Sequence, residues 1–482
     1  MFVFQESELD RILDIIITSM TPQRSPSQKP VPANILFLSA RYAHYHASRD
    51  LLATLLISAM DKINNKVERH QWDMTVLAFW ISNATLLLHY LRKDTGLVEA
   101  TTEFQLQLVE LINEIFILII RDAERRMDKV LDAAMLDHET IPGFEDVHFA
   151  NEWNIFRSKS KAVGFKPSAA TRRAQPSPRA ITSLLSSTLF VLDLYDIHSV
   201  IVAQLLAQLF YWIGAELFNH ILCSKTYLAR TKAMQIRMNV STLEDWARSN
   251  NRSPEHYENG SLTSSGENIV EAARKHLMPV IQLLQWLQCF SSLGDDPEAL
   301  ENTLKQLTLL TPQQLLHSSA NYRCEVGEKG LSKPARKRLL AMQTETRKHR
   351  ENMRKERRKL AKTNNTAARS NHTPPRTPSA SREEFISSPT SIRTPNGIDV
   401  RDDDDIESEQ LLMDPAHMLQ FTLPTSVDLR LSYGAGYGGL NRERERKYIP
   451  TVPPEFLTKL DLNGNCGSFV HRTDWDKNSS EE

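Results

Sequence analysis

A chain of 482 residues with 58 Lys and Arg, 59 Asp and Glu and a net charge of −1 has no bulk attraction for nucleic acid or anionic lipid. Its four cysteines, Cys223, Cys289, Cys324 and Cys466, lie far apart without a C-x-x-C pair, which argues against a disulfide framework or zinc module and favours a reducing compartment. The acidic N-terminus is unlike a signal peptide, and the apolar run Leu209 to Ala215 is too short to span a membrane. We therefore expect a soluble, cytoplasmic protein.

Helical periodicity runs through most of the first 345 residues. A stripe from Leu9 to Met20 predicts a first helix, which Thr21-Pro22 ends. Patterning resumes at Asn34 and continues to Tyr90, and four further helices are predicted at Thr102 to Met135, Ile181 to Tyr195, Ser199 to Cys223 and Glu267 to Phe290. N-cap signals at Asp296-Pro297 and at Thr311 to Gln314 begin two more. Strand signals are few, so the predicted fold is all-α, an elongated multi-helix bundle.

One stretch, Ala233 to Asn251, combines apolar periodicity with polar residues. Ser241 and Glu244 have the spacing of a capping box that would start a short helix with Leu243 and Trp246 on its buried face. Before it, apolar and polar residues alternate from Met234 to Val240, as in a strand or a helix end. We interpret the stretch as a packed junction between two helices, in which Arg237 and Asn239 are structural rather than catalytic.

This stretch and several others match the motifs of a known family, and they follow one another in the same order as in that family. The sequence resembles the dilute domain, the globular cargo-binding tail of class V myosins that is also found in afadin and in stand-alone fungal proteins. The stretches that carry the resemblance are Val31–Phe37, Phe79–Asn83, Leu87–Leu91, Met135–Ile141, Phe210–Ala215, Met234–Arg237, Leu243–Trp246 and Gln410–Asp414. The family signature comprises Met234, Gln235, Ile236, Arg237, Asn239, Ser241, Leu243, Glu244 and Trp246, to which we assign a structural role.

The resemblance implies a division of the chain into five segments. They are an N-terminal helix and linker (1–30), a dilute-type helical domain with a flexible loop at 143–180 (31–345), a disordered linker that is basic, rich in Thr/Ser-Pro and then acidic (346–407), an extended C-terminal segment that packs back on the helical body (408–447), and a polar tail (448–482). No phosphate-binding G-x-x-x-x-G-K-[ST] loop and no long heptad coil accompany them. The chain therefore resembles a tail domain without its motor.

Motifs for catalysis or metal binding lack their required context. The G-x-G-x-x-G at Gly434 to Gly439 is followed by a charged segment where a dinucleotide site needs a helix. His44 and His46 lack a third metal ligand, and His138 lacks a second histidine because Pro142 stands at that position. We predict no enzyme activity, no cofactor and no metal.

The basic run from Ala335 to Lys362 has several possible uses. It could bind nucleic acid, anionic lipid or an acidic partner, or act as a nuclear import signal, and we favour a solvated tether beside the acidic block Asp402 to Asp405. Proline-directed sites in the mobile segments are candidate phosphorylation sites, namely Ser177, Thr373, Thr377, Ser388 and Thr394.

The resemblance implies a non-enzymatic adaptor that links vesicles or organelles to transport or cytoskeletal machinery through helical grooves. The alternative is a regulatory scaffold that joins a small GTPase or membrane-junction protein to the actin cortex. The expected partners are proteins, namely vesicle or organelle adaptors, small GTPases, or motor and cytoskeletal proteins. Peripheral membrane contact on vesicles, Golgi or cell cortex is compatible with both hypotheses, whereas a small-molecule substrate or nucleic acid is not expected.

Overall fold

The computed structural model describes residues 1–22, 30–142, 147, 149, 176–254, 256–258, 261–263, 267–293, 296–369, 411–434 and 442–461. The first half contains α1 (Leu9–Leu13), α2 (Val31–His46), α3 (Arg49–Arg69), α4 (Met74–Lys93), α5 (Thr95–Ala100), α6 (Thr102–Met135), α7 (Pro178–Leu194), α8 (Ser199–Cys223) and α9 (Arg230–Ser249). The second half contains α10 (Ile269–Cys289), α11 (Pro297–Gln306), α12 (Pro312–Ala320), α13 (Lys333–Arg369), α14 (Ser426–Tyr433), α15 (Arg442–Lys447) and α16 (Pro454–Asp461). The all-α prediction is confirmed, and α6 alone is about 50 Å long at 1.5 Å per residue.

Short 3-10, π and strand elements accompany these α-helices, including a 3-10 turn at Phe290–Ser292 after α10. A 3-10 turn at Glu6–Glu8 precedes α1, and a π-turn at Asp14–Thr18 continues it, with the Ser19 N–H donating to the carbonyl of Asp14 at 2.8 Å. The antiparallel strands β1 (His256–Glu258) and β2 (Ser261–Thr263) form a small hairpin in a segment that the sequence indicates only as a polar loop.

The two predicted N-caps of the second half are confirmed. The Asp296 carboxylate accepts from the N–H of Glu298 at 2.9 Å, with Pro297 at the first helical position of α11. Thr311 and Gln314 form the reciprocal bonds of a capping box at the start of α12, at 3.2 and 2.9 Å. These local signals were reliable because each satisfies N–H groups that no other part of a helix can reach.

The core is one contiguous apolar cluster centred on α4 and α8. Helix α8 packs against α6, α10 and α12, whereas α4 packs against α2, α6 and α7. Both α4 and α8 are long and apolar enough to cross a membrane, but 89% and 78% of their most apolar windows are buried inside the helical body. Their apolar character therefore matches their place at the centre of the core.

Helices α8 and α10 approach closely at Gly214. A β-carbon added there would overlap the carbonyl oxygen of His276, so glycine is what allows the two backbones to meet. Helix α10 continues through Pro279, which lacks the N–H that would otherwise bond to the preceding turn.

Two predicted boundaries differ from the structure. Residues 346–369, expected to begin the disordered linker, are the second part of α13, because a run of Lys, Arg, Glu, Ala and Met that cannot be buried still has high helix propensity. The polar tail expected from 448 contains α16, whose Phe456 and Leu460 are buried against the N-terminal segment. Its four-residue apolar spacing was too short to stand out in the sequence.

Candidate functional site

The signature residues lie within a single helix, α9, and the predicted capping box at Ser241 is wrong. Helix α9 begins at Arg230, so Ser241 is in its interior, and its hydroxyl donates to the carbonyl of Met238 at 2.7 Å. Glu244 instead pairs with Arg237 at 2.8 Å. The spacing was correct for a cap, but backbone groups inside a continuous helix already have partners and leave nothing to cap.

The buried polar residues of α9 hold the chain that follows α6. The Asn239 side-chain amide donates to the carbonyls of Met135 and His138 at 3.0 and 2.9 Å, and its oxygen accepts from the hydroxyl of Thr140 at 2.7 Å. Gln235 accepts from the N–H of Ile141 at 2.9 Å. Asn239 therefore caps the C-terminal end of a different helix.

The remaining signature residues pack α9 against its neighbours. Trp246 donates from its indole N–H to the hydroxyl of Ser186 on α7 at 2.7 Å, and its ring lies 6.1 Å from that of Phe210 on α8. Ile236 and Leu243 are fully buried, and Met234 lies on the exposed side. No signature residue lines a cleft among those found in the described part of the chain.

Other stretches that carry the resemblance are also joined by hydrogen bonds. Asn83 on α4 accepts from the N–H of Ala33 on α2 at 3.2 Å. The Tyr90 hydroxyl donates to the side-chain oxygen of Asn34 at 3.0 Å. Like Asn239, these buried groups set how one helix meets another.

An extended segment, Leu411–Leu423, runs along α8, and we call it the strap. Gln208 donates to the carbonyl of His417 at 3.0 Å and accepts from the N–H of Leu419 at 2.8 Å. Asn219 makes the same pair of bonds to the backbone of Met413, at 2.9 and 2.8 Å. Side-chain amides on one face of α8 thus take the place of the hydrogen bonds that a neighbouring strand would give.

Three further polar side chains complete this contact. Gln204 bonds to both backbone groups of Thr422, at 2.8 and 2.7 Å, and Tyr211 donates to the carbonyl of Asp414 at 2.8 Å. Gln314 on α12 donates to the carbonyl of Leu411 at 3.0 Å. All of these bonds go to backbone atoms of the strap. They therefore fix its path whichever side chains stand at the bonded positions.

The outer face of α6 borders two clefts. One, of about 640 Å³, lies between α6 and the strap and is lined mainly by apolar side chains, including Phe116 and Phe421, whose rings stack at 4.2 Å. The other, of about 310 Å³, lies between α3 and α6 and is lined by Asp61, Glu110 and Glu114. Glu110 lines both clefts.

Large apolar side chains are exposed beside these carboxylates. Ile57 on α3 is 60% exposed and Leu106 on α6 is 61% exposed. Asp61, Glu110 and Glu114 have no basic partner among the described residues. We call the surface made of these five residues and the two clefts the α6 groove; sequence periodicity missed it because both apolar residues look like core positions.

Buried titratable groups elsewhere serve packing. Burial, together with the charges of Lys93 and Arg430, lowers the pKa of His89 to about 4, so this ring is neutral at physiological pH. Burial also raises the pKa of Tyr433, whose ring lies 5.4 Å from that of His89. These groups join α4 to α14.

The other predicted sites fall in several places. Ser177 is the N-cap residue of α7, whereas Thr373, Thr377, Ser388 and Thr394 lie outside the described residues. His44 and His46 lie in the last turn of α2, and no group of three metal-ligating side chains occurs in the part of the chain that the structure describes. Gly434 follows α14, and the rest of its glycine motif is outside the described residues.

The chain is similar to known proteins in sequence and in fold. The DIL domain model matches residues 204–326, which include the strap-binding face of α8 and all of α9. The fold is similar to a solved structure described as the myosin V cargo binding domain, with a TM-score of 0.52, 16% identity and coverage of 71% of this chain and 84% of that one. Unconventional myosin-Va of Homo sapiens is 29% identical over 58% of this chain, but the match covers 14% of the myosin.

A dilute domain-containing protein of Schizosaccharomyces pombe is more similar. It is 31% identical over 473 residues, a match that covers 96% of this chain and 73% of that protein. The family model that matches is the DIL domain, and the matching fold is that of a structure described as a myosin V cargo binding domain. This chain belongs to the dilute-domain family.

Proposed function

We propose that this protein is a cytoplasmic, non-enzymatic adaptor that links vesicles or organelles to transport or cytoskeletal machinery, and that its partner docks in the α6 groove. The fold of a cargo-binding domain supports the adaptor role. The observation that carries the proposed site is the combination of two exposed apolar side chains with three carboxylates that have no basic partner in the described part of the chain, beside two clefts.

The groove indicates the chemistry of its partner. Leu106, Glu110, Asn113 and Ile117 follow one another at three- to four-residue intervals, so they lie along one face of α6. A partner segment with apolar anchors at helical spacing would bury Leu106 and Ile57, and Lys or Arg beside those anchors would meet the carboxylates. We therefore expect a basic amphipathic segment of a protein on the cargo.

A site-specific crosslinker identifies such a partner. We would place a photo-reactive amino acid at Leu106 of the full chain, and at exposed Phe190 on α7 as the matched position away from the groove. The expected adduct at Leu106 is a basic, apolar segment of a vesicle or organelle protein. Equal labelling of the same protein from Phe190 would contradict docking in the α6 groove.

Binding of the purified partner then tests the electrostatic argument. Reversing Glu110 and Glu114 to Lys should weaken binding at low salt by about tenfold or more, with a smaller effect at high salt, because charge pairs at the rim of an interface are screened. The matched control reverses Asp128 on α6 and Glu298 on α11, both exposed and outside the groove. Equal weakening in both double variants would indicate a response to net charge alone.

The identity of the partner separates the two functional hypotheses. Recovery of small GTPases or actin-cortex proteins without cargo proteins would favour the regulatory scaffold. Nucleotide hydrolysis by the purified chain would contradict both.

A further inference from the structure

The N-terminal part of α13 is anchored to the helical body in one orientation. Ala335 and Leu339 are buried in the core, and α13 contacts α11 and α12. Arg338 forms an ion pair with Glu301 of α11 at 2.6 Å. These contacts fix the rotation of the helix about its axis, and therefore the direction in which the side chains as far as Glu356 point.

The side of α13 that faces away from the body is basic. At 100° per residue, Lys337, Lys348 and Lys355 lie about 160–180° from Leu339 around the helix. All three are exposed. They span about 27 Å along the axis, and α13 as a whole carries 14 Lys and Arg against three Glu.

The three acidic residues of α13 lie on its flanks. By the same rotation, Glu345 and Glu356 are about 100–120° from Leu339 on one side, and Glu351 is about 120° from it on the other. A nucleic-acid groove encloses both flanks of a helix and would bring these carboxylates close to phosphates. A flat anionic surface meets only the outward face and leaves the flanks in water.

We propose that the outward face of α13, centred on Lys337, Lys348 and Lys355, binds the anionic headgroups of a membrane surface. Attraction between basic residues and anionic lipid acts within about a Debye length and needs no shaped pocket. The site is separate from the α6 groove and does not depend on the proposed partner. It would add a lipid contact to an adaptor otherwise held by proteins.

Sedimentation of the full chain with vesicles tests the proposal. We expect binding to vesicles of phosphatidylcholine with added phosphatidylserine, little binding to phosphatidylcholine alone, and release at high salt. Replacing Lys337, Lys348 and Lys355 by Glu should weaken vesicle binding by at least about tenfold. The melting temperature should stay unchanged, since all three side chains are exposed.

A matched triple variant separates the face from overall charge. Arg49→Glu, Arg69→Glu and Lys129→Glu reverse the same number of charges at exposed positions on α3 and α6. Retained vesicle binding in this variant supports the proposal, and equal loss in both variants overturns it. Failure to bind phosphatidylserine vesicles, or tighter binding to a short DNA duplex at the same salt concentration, would also overturn it. Neither result bears on crosslinking at Leu106, so the two proposals fail independently.

Discussion

Asn239 stabilises the end of a helix other than its own. Its amide satisfies the carbonyls of Met135 and His138 and accepts from Thr140, which uses three of the bonds that a buried amide can make. The carbonyl of buried Met135, in the last turn of α6, would otherwise lack a partner, at a cost of about 1–3 kcal/mol. A residue in the middle of one helix thus fixes where another helix stops.

Replacing Asn239 by Ala should therefore be costly. We expect the free energy of unfolding to fall by about 2–3 kcal/mol, because the buried carbonyl of Met135 and the half-buried carbonyl of His138 lose their partner. Urea denaturation followed by circular dichroism measures the change.

Ser241→Ala is the matched control on the same helix. It should change stability by less than about 0.5 kcal/mol, because the serine hydroxyl only bonds back to its own helix and alanine favours helix formation. A larger loss from Ser241→Ala than from Asn239→Ala would show that the capping role lies elsewhere.

At this scale the sequence predicted a capping contact at Ser241 that the structure does not contain. The three-residue spacing of Ser241 and Glu244 fits a capping box. However, α9 starts earlier, at Arg230, and its N-cap residue Ala229 has no capping side chain. The bond from Asn239 to Met135 joins residues more than 100 positions apart. Local patterns carry no information about such a partner.

Among the elements, the strap is held mainly by the side chains of α8. An extended segment without a neighbouring strand leaves its N–H and C=O groups free, and Gln204, Gln208 and Asn219 each bond to one of each. Most of its side chains are only half-buried or exposed. The strap should therefore open more readily than the helices beneath it.

Gln208→Ala and Asn219→Ala should loosen the strap locally. Each removes two hydrogen bonds, and we expect each to lower the free energy of local opening by about 1–2 kcal/mol. Hydrogen exchange of the backbone amides of Met413 and Leu419 reports this directly.

The control for the strap variants is Gln107→Ala, at an exposed position on α6 outside the strap contact. It should leave both amides unchanged. Equal acceleration across α4 would instead indicate global destabilisation rather than release of the strap.

Helix α13 shows what amino-acid composition can and cannot predict about a single helix. Its charge excludes burial, and that argument correctly separates it from the core beyond about Met342. Charge does not exclude helix formation, because Lys, Arg, Glu and Met all favour helix. As far as Glu356, the sequence therefore predicted that this part of α13 lies outside the core but not that it is helical.

Over the whole molecule, the C-terminal segments connect distant parts of the body. Phe456 of α16 packs edge-on against Phe2 with ring centres 5.4 Å apart, and Arg11 donates to the carbonyl of Lys459 at 3.2 Å. The carbonyl oxygen of Tyr448 also lies 2.9 Å from the Tyr90 hydroxyl. The N-terminal helix, α4 and the C-terminal segments thus share one core.

Ending the chain after residue 410 should destabilise the entire body. The truncation exposes the apolar surface under the strap, α14 and α16, and leaves the amides of Gln208 and Asn219 without their partners. We expect a melting temperature at least about 5 °C lower, since loss of even a few kcal/mol shifts the midpoint by several degrees. Calorimetry of the truncated and full chains measures it.

Removal of residues 462–482, a truncation that leaves every described contact in place, is the control. It should melt like the full chain. An unchanged midpoint on truncation after residue 410 would show that the C-terminal segments are attached without stabilising the core.

The order of helices and the all-α class followed from periodicity. The return of residues 408–447 along the body was expected only from the family resemblance, and the packing of α16 against the N-terminal segment was not predicted. Phe456 and Leu460 are two buried positions in a short helix, and their partner Phe2 stands at the other end of the chain. The α6 groove likewise could not be predicted from the sequence, because an exposed Leu106 is indistinguishable from a buried leucine in a helical stripe. Whether such a side chain is exposed depends on whether another part of the folded chain covers it.

The strap also sets a sequence of events during synthesis. Helix α8 leaves the ribosome with its apolar and amide-lined face uncovered, and the strap that covers it is translated nearly 190 residues later. At 5–20 residues per second, that interval is roughly 10–40 s. During this time a chaperone can reach a surface that is closed in the finished protein, so newly made chains should depend on chaperones more than mature ones do.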